Sequence, residues 1–322
     1  MNLSYQHLKP GQSGWQTLAF EAGGGVTASL DVFECMGQSS GPSVLVTAGV
    51  HGDEYEGPAA IAEVASWLSP PFLRGTVCMI PVANPFAFAA GTRTSPVDGF
   101  NLARVFPGKK DGTPTERLAH FLFHEFASKS DYVIDLHSGG VEYEFLPVAG
   151  FYGPASVENP SFRAASAMGL PALWQLPETS GVLSREAAGA GKVAIGAEYL
   201  GAGRLSWEGV QAYLRAIRRC LELWQMLDPS DLPPAQEARI FTNDWLLAPA
   251  TGMFHTRRRL GDGVTNGDEL AVIVGRRGEV LARLAAQTKG VVLGLRSKAY
   301  ITEGSWAVLL AQEVSLRGDC TT

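Results

Sequence analysis

Cysteine is scarce and badly placed for cross-linking. The four residues, Cys35, Cys78, Cys220 and Cys320, are far apart and form no C-x-x-C pair. This argues against a disulfide framework and a thiolate metal cluster, and for reduced structural thiols in a cytoplasmic protein. No apolar run approaches the roughly 18 residues of a membrane span. The first residues lack the basic stretch and apolar core of a secretory signal. Only 18% of the chain is charged and the net charge is −6, so nucleic acid is not expected as a bulk electrostatic partner. Low-complexity tracts and solenoid-like repeats are also missing.

What is present is apolar residues in quantity: 46% of 322 positions, ample for a large core and more consistent with two domains than one. Residues 1–40 read as β-structure with a glycine turn at Gly23-Gly24-Gly25. Residues 44–47 are continuously apolar and β-branched-rich, as in a strand buried on both faces. A helix over 57–68, ended by Pro70-Pro71, and a second buried strand over 76–82 complete a strand–helix–strand unit of an α/β sheet. Residues 84–110 form a long Gly- and Pro-rich segment with little periodicity, a pattern that favours a functional loop. Thr113 and Pro114 start a helix running to 127. Further strands are expected at 132–136 and 193–197, with mixed structure over 141–176 and a short helix at 184–190. The clearest helix spans 207–227, where Val210, Leu214, Ile217, Leu221 and Trp224 recur at helical spacing. The Pro-rich stretch 228–234 then breaks the chain. Beyond it, short apolar runs separated by glycines predict a small all-β domain.

The residues that could carry chemistry gather at predicted strand ends. The first buried strand runs into Ala-Gly-Val-His51-Gly-Asp-Glu54. A His-x-x-Glu pair by itself is weak, because a loop capping a helix can hold one for structural reasons. His137 follows another predicted strand, and ligands at the carboxyl ends of adjacent strands converge on a crevice. Two imidazoles and a carboxylate, with a position left for water, make a catalytic zinc set. His120 and His124 lie four apart on one helix and are more simply read as partly buried packing residues. His7 and His255 have no suitable neighbours. Asp135 and Asp53 are equally read as partners for a ligand imidazole or as turn-forming residues. Glu198 closes an apolar strand, where a carboxylate is costly unless solvated or used, and it is the best-placed base. Glu178 and Glu186 are alternatives in loop or helix-surface positions. Arg93 and Arg104 suit oxyanion and carboxylate recognition, although by spacing alone two ordinary solvated arginines are the better reading.

Three phrases in this order resemble the succinylglutamate desuccinylase/aspartoacylase family of zinc carboxypeptidase-like deacylases. They are His51-Gly-Asp-Glu54, Asn-Leu-Ala-Arg104-Val-Phe-Pro-Gly108 and Asp135-Leu-His137-Ser-Gly-Gly, and the likeness covers about residues 40–225. Residues 51–58 and 92–99 look most like the branch that deacetylates N-acetyl-2,4-diaminobutanoate. The resemblance implies a mixed α/β sheet flanked by helices over 1–235, with a Gly-rich β-domain over 236–322. It also implies one Zn2+ per chain held by His51, Glu54 and His137, Glu198 as general base and acid, Arg93 on the oxyanion and Arg104 on a substrate carboxylate. The chain departs from the family where Ala103 replaces an Asn and Asn101 replaces an Asp. The clamp is therefore reshaped, with Asn101 as a substitute donor to substrate. The expected partner is a small N-acyl compound, and the β-domain is expected to shape the pocket mouth or mediate assembly into a homo-oligomer. A zinc carboxypeptidase acting on short peptides and a non-catalytic binding protein are the alternatives. Residues 257–259, a run of arginines, are read as a solvated basic turn. Lys289 lacks the flanking residues of a lipoyl- or biotinyl-type lysine.

Overall fold

The computed structural model describes residues 5–23 and 25–316. Residues 1–4, which carry part of the signal reading, lie outside them, as do Gly24 and Cys320. Cys35, Cys78 and Cys220 are buried free thiols.

The first half of the chain alternates strands and helices: β1 (Gln12–Gly23), β2 (Val26–Met36), β3 (Ser39–Thr47), α1 (Glu56–Trp67), β4 (Arg74–Ile80), α2 (Pro85–Ala90), α3 (Pro114–Glu125) and β5 (Tyr132–His137). Then come β6 (Tyr143–Phe151), α4 (Pro160–Ala167), β7 (Ala172–Gln175), α5 (Leu183–Gly189), β8 (Val193–Gly201) and α6 (Trp207–Leu223). Beyond residue 238 everything regular is strand: β9 (Arg239–Leu247), β10 (Gly252–Thr256), β11 (Gly263–Val264), β12 (Glu269–Val274), β13 (Val280–Ala285), β14 (Gly290–Arg296), β15 (Tyr300–Ile301) and β16 (Trp306–Glu313).

At the centre, β4, β3, β5 and β8 run parallel. Successive residues of β3 face opposite layers. Val44 and Val46 pack with Ile61 and Val64 of α1 and Ile217 of α6, while Leu45 packs with Leu118 of α3 and Leu183 of α5. Burial on both faces is why this strand reads as one unbroken apolar run. Outside the parallel core, β2 pairs antiparallel with β4, and β6 antiparallel with β8.

Local chemistry sets the helix boundaries. Thr113 and Glu116 form a reciprocal capping box at the start of α3, with Pro114 in the first turn. On α6 the buried stripe runs through Val210, Tyr213, Ala216, Ile217, Cys220 and Leu221. Leu214 and Trp224 of the expected stripe sit at its margin, partly buried. The long segment after β4 is less irregular than its composition predicts: Asn84 caps the short helix α2, and a 3-10 turn covers Leu102–Arg104.

The C-terminal region is all-β, as expected, and two of its features are not visible in the sequence. A four-stranded sheet, β13-β12-β10-β15, stands on its own. The strands β9, β16, β14 and β11 instead continue the large sheet, which reaches twelve strands. Because β14 also pairs with β6, strands β6, β7, β9, β16 and β14 close into a ring. Alternation on β16 serves both sides: Leu309 and Ala311 face the ring interior with Tyr143, Phe145 and Trp174, while Val308 and Leu310 pack under the separate sheet. No helix among the described residues is long and apolar enough to cross a membrane.

Candidate active site

The loop after β3 is held in place by backbone. Ala48 N–H donates to Ile80 O and Ala83 N–H to Ala48 O, tying the loop to the end of β4. Gly52 packs so closely on the backbone of Ala87 in α2 that a Cβ has no room. The loop therefore delivers His51, Asp53 and Glu54 as a fixed unit, and all three are buried.

The structure brings His51, Glu54 and His137 together, with one ligand atom from each lying within 4.8 Å of the others. His51 Nδ1 stands 2.7 Å from Glu54 Oε1, and His137 Nδ1 stands 3.0 Å from Glu54 Oε2. The far sides of the rings are occupied as well. His51 Nε2 is 3.1 Å from Asn101 Oδ1, and the Ala103 N–H donates to that same oxygen at 2.9 Å. The backbone donor fixes the orientation of the Asn101 amide, so Nε2 of His51 must be the donor there. His137 Nε2 is 3.1 Å from Asp135 Oδ2, while Thr47 Oγ1 donates to Asp135 Oδ1 at 3.0 Å.

A neutral His51 holding its proton on Nε2 points a lone pair from Nδ1 at a carboxylate, which is also an acceptor. The same holds for His137 if its proton faces Asp135. Two lone pairs aimed at one anion are favourable only with a cation among them, either a proton or a metal. The donor set therefore fits a divalent ion of zinc's preferences. The electrostatics agree. Burial, helped by the charge of Arg93, lowers the His51 imidazole below its ordinary value. Burial alone raises Glu54, yet the two imidazoles more than reverse this and leave it well below the usual carboxylate range. Burial lowers His137, but Asp135 and Glu54 outweigh it and lift the imidazole well above its ordinary value.

Glu198 faces this cluster from β8, where its register partner on β5 is His137. The strand continues to Gly201, so Glu198 lies inside it and not just past its end. Its Oε2 is shut off from solvent with no hydrogen-bond partner among the described residues. Burial, reinforced by the negative charge of Glu54, raises its pKa. Arg93 donates to Glu54 Oε1 at 3.2 Å. Arg104 donates to the Ala103 carbonyl at 2.7 Å and lies 6.0 Å from the ring centre of Trp306.

A cavity of about 240 Å³ opens beside these groups, and His51, Arg93, Arg104, His137 and Glu198 contribute to its wall. Asn101, expected against the substrate, holds His51 and the 3-10 turn instead and is not among the lining residues. Ala103 does line the cavity. The two aspartates separate. Asp135 partners His137, whereas Asp53 accepts from Val141 N–H at 2.8 Å and buttresses the turn at Gly140, a residue at φ 57° whose Cβ would collide with that carboxylate. Glu178 ion-pairs with Arg185, and Glu186 accepts from Gly181 N–H. His120 and His124 lie side by side on α3, with ring centres 4.2 Å apart and planes tilted by 52°, outside the cluster.

The sequence reading missed the aromatic wall formed by Tyr143, Phe145, Trp174, Trp245 and Trp306. Their proximity depends on ring closure between β6 and β14, which leaves no local signal. It also missed Tyr213, whose hydroxyl donates to the His137 carbonyl. There a signal existed, since Tyr213 lies at helical spacing between Val210 and Ile217.

Comparison with known proteins bears on these features. Residues 40–224 match the model of the succinylglutamate desuccinylase/aspartoacylase catalytic domain. The chain is 30% identical, over 87% of its length and 85% of the relative's, to an N-alpha-acetyl-L-2,4-diaminobutyric acid deacetylase of Halomonas elongata. Among solved structures it resembles a succinylglutamate desuccinylase/aspartoacylase from Rhodobacter sphaeroides at TM-score 0.85 and 27% identity, covering 97% of this chain and 100% of that one. It resembles equally the product-bound ectoine utilization protein EutE from Ruegeria pomeroyi, at TM-score 0.85 and 27% identity, covering 97% of each chain. With the fold, the ordered motifs and these relatives in agreement, the chain belongs to the succinylglutamate desuccinylase/aspartoacylase family of deacylases.

Proposed function

We propose that the protein is a zinc-dependent amidohydrolase that removes a short acyl group from an N-acyl amino acid or a related small N-acyl compound. One observation carries this reading. A buried carboxyl with one unpartnered oxygen, Glu198, faces a His–Glu–His set able to hold a metal, across the β5–β8 register. The name of the Halomonas relative supports the choice of an N-acyl amino acid.

His51, Glu54 and His137 would hold one zinc ion through Nδ1, a carboxylate oxygen and Nδ1. Zinc bound there supplies Lewis acidity, acidifying water and polarising a carbonyl. Glu198 takes the proton of the attacking water and passes it to the leaving nitrogen, a relay suited to a carboxyl whose pKa has been raised toward neutrality. Arg93 stabilises the negative charge that develops on the carbonyl oxygen. Arg104 grips a carboxylate on the substrate and orients the amide. Residues 1–235 carry this chemistry, and residues 236–322 complete the pocket through Trp245 and Trp306. A cavity walled from both parts suits a small substrate better than the end of a peptide. In a cytoplasmic setting its partner is that small molecule.

The test is acyl release by the zinc-loaded protein beside Glu198→Gln and His51→Ala. Glu198→Gln is expected to keep its zinc and lose roughly 10²–10⁴ in rate. His51→Ala is expected to lose both zinc and rate. Wild-type rates in both variants would show that the site is misassigned.

A further inference from the structure

Because β14 pairs with β6 and closes the ring of β6, β7, β9, β16 and β14, the cavity beside Glu198 runs into the aromatic end of a small barrel interior. Trp245 and Trp306 stack there with ring centres 4.6 Å apart and planes 9° from parallel. Tyr143 lies 5.8 Å from Trp245, edge-on, and Phe145 lies 6.0 Å from Trp245 at 85°. All four rings line the cavity.

An aromatic wall can receive either a cation or an apolar group. Here the cationic choice is already met by the protein. The Arg104 guanidinium sits 6.0 Å over Trp306, and the Arg296 guanidinium sits 5.7 Å over Tyr143. Arg93 and Arg104 both line the cavity, and Glu198 is the carboxylate among its lining residues. A substrate ammonium would meet two positive charges and compete for occupied ring faces, with the reacting carboxylate as its one anionic neighbour on the wall.

Arg104 has the opposite need. It donates to the Ala103 carbonyl, and no carboxylate lies within ion-pair range among the described residues. The Ala103 side chain beside it adds no polar group to the wall. A substrate carboxylate placed at Arg104 stands next to Trp306, so the group attached to the same carbon falls against the stacked tryptophans.

We propose, building on the deacylase reading, that the substrate is an N-acyl amino acid with an aromatic or comparably large apolar side chain. Trp245 and Trp306 receive that side chain, and Arg104 receives its carboxylate. Trp306 thereby determines specificity through contact with the side chain and by positioning Arg104.

The experiment measures kcat/KM of the zinc-loaded full chain on N-acetyl-L-phenylalanine, N-acetyl-L-alanine, N-acetyl-L-aspartate and N-alpha-acetyl-L-2,4-diaminobutyrate. The phenylalanine compound is expected to lead each of the others at least tenfold, within the range one well-filled apolar pocket provides. Trp306→Ala is expected to cut the phenylalanine-to-alanine ratio at least fivefold. In parallel, calorimetry on Glu198→Gln compares binding of intact N-acetylphenylalanine and the diaminobutyrate compound, with at least tenfold tighter binding expected for the former. Hydrolysis that favours the diaminobutyrate, aspartate or alanine compound overturns the specificity and leaves the deacylase reading standing. No hydrolysis anywhere, with the tenfold binding preference intact, overturns the deacylase reading and supports the pocket assignment. No hydrolysis and no binding preference overturns both.

Discussion

His137 and Glu198 are register partners on the neighbouring parallel strands β5 and β8. One β-sheet pairing thus sets the imidazole proposed as a metal ligand beside the carboxylate that would move the proton. The two need no loop to meet, and strands hold side chains with less play than loops do.

Asp135 is the handle on His137. It accepts from Thr47 Oγ1 at 3.0 Å and stands 3.1 Å from His137 Nε2. Asp135→Asn removes the charge that fixes the imidazole's tautomer. Zinc affinity is expected to fall about 10–100-fold. Competition against a fluorescent chelator checks this, and unchanged affinity would leave Asp135 with a structural part only.

Metal should also report on the fold. Binding would join the proposed ligands of the β3 loop and β5, and a metal that favours the native state at 100 times its Kd adds about 2.7 kcal/mol. Thermal unfolding with zinc, and again after chelator treatment, is expected to differ by several degrees. His51→Ala should abolish the difference. An equal shift in that variant would place the stabilising metal elsewhere.

Glu198 gives the metal-free protein a pH dependence of definite sign. Its ordinary value of 4.5 is pushed up to about 8, by burial first and by Glu54 second. A carboxyl raised in the folded state favours folding at low pH. That contribution is complete below pH 4.5 and is lost progressively as the pH rises towards 8. Glu198→Gln cannot ionise and escapes the loss. Its stability relative to wild type, read from denaturant midpoints without metal, is expected to increase from pH 5 to pH 8. A difference that stays flat or shrinks contradicts a raised pKa.

Arg104→Ala should weaken substrates that carry a carboxylate and have little effect on their amides. For the acids kcat/KM is expected to fall by roughly 10–100-fold, the loss of one charge-assisted hydrogen bond of about 1.5–3 kcal/mol. An equal loss for acid and amide would mean that Arg104 supports the fold and not the carboxylate.

The central α/β unit was legible because local rules and tertiary context agree there. β3 is buried on both faces and reads as an unbroken apolar run, and α3 carries its capping box in plain view. The site was half legible. His51 and Glu54 share one loop, and strand-end placement suggested His137 and Glu198. Which ring nitrogen meets which acceptor was not readable, because Asn101 reaches His51 across 50 positions and is oriented by a backbone amide. Residue spacing alone also could not separate Asp135 from Asp53.

The sequence by itself determined a chain with a mixed α/β catalytic region, an all-β C-terminal region and chemistry-bearing residues at strand ends, because periodicity, caps and turn residues act over a few positions. Tertiary structure alone decided what surrounds the reacting groups. The pairing of β14 with β6 closes the ring and carries Trp306 to Tyr143 and Arg104. That pairing joins positions some 150 residues apart through backbone hydrogen bonds, which any side chain can accompany, so it leaves no mark in the local sequence.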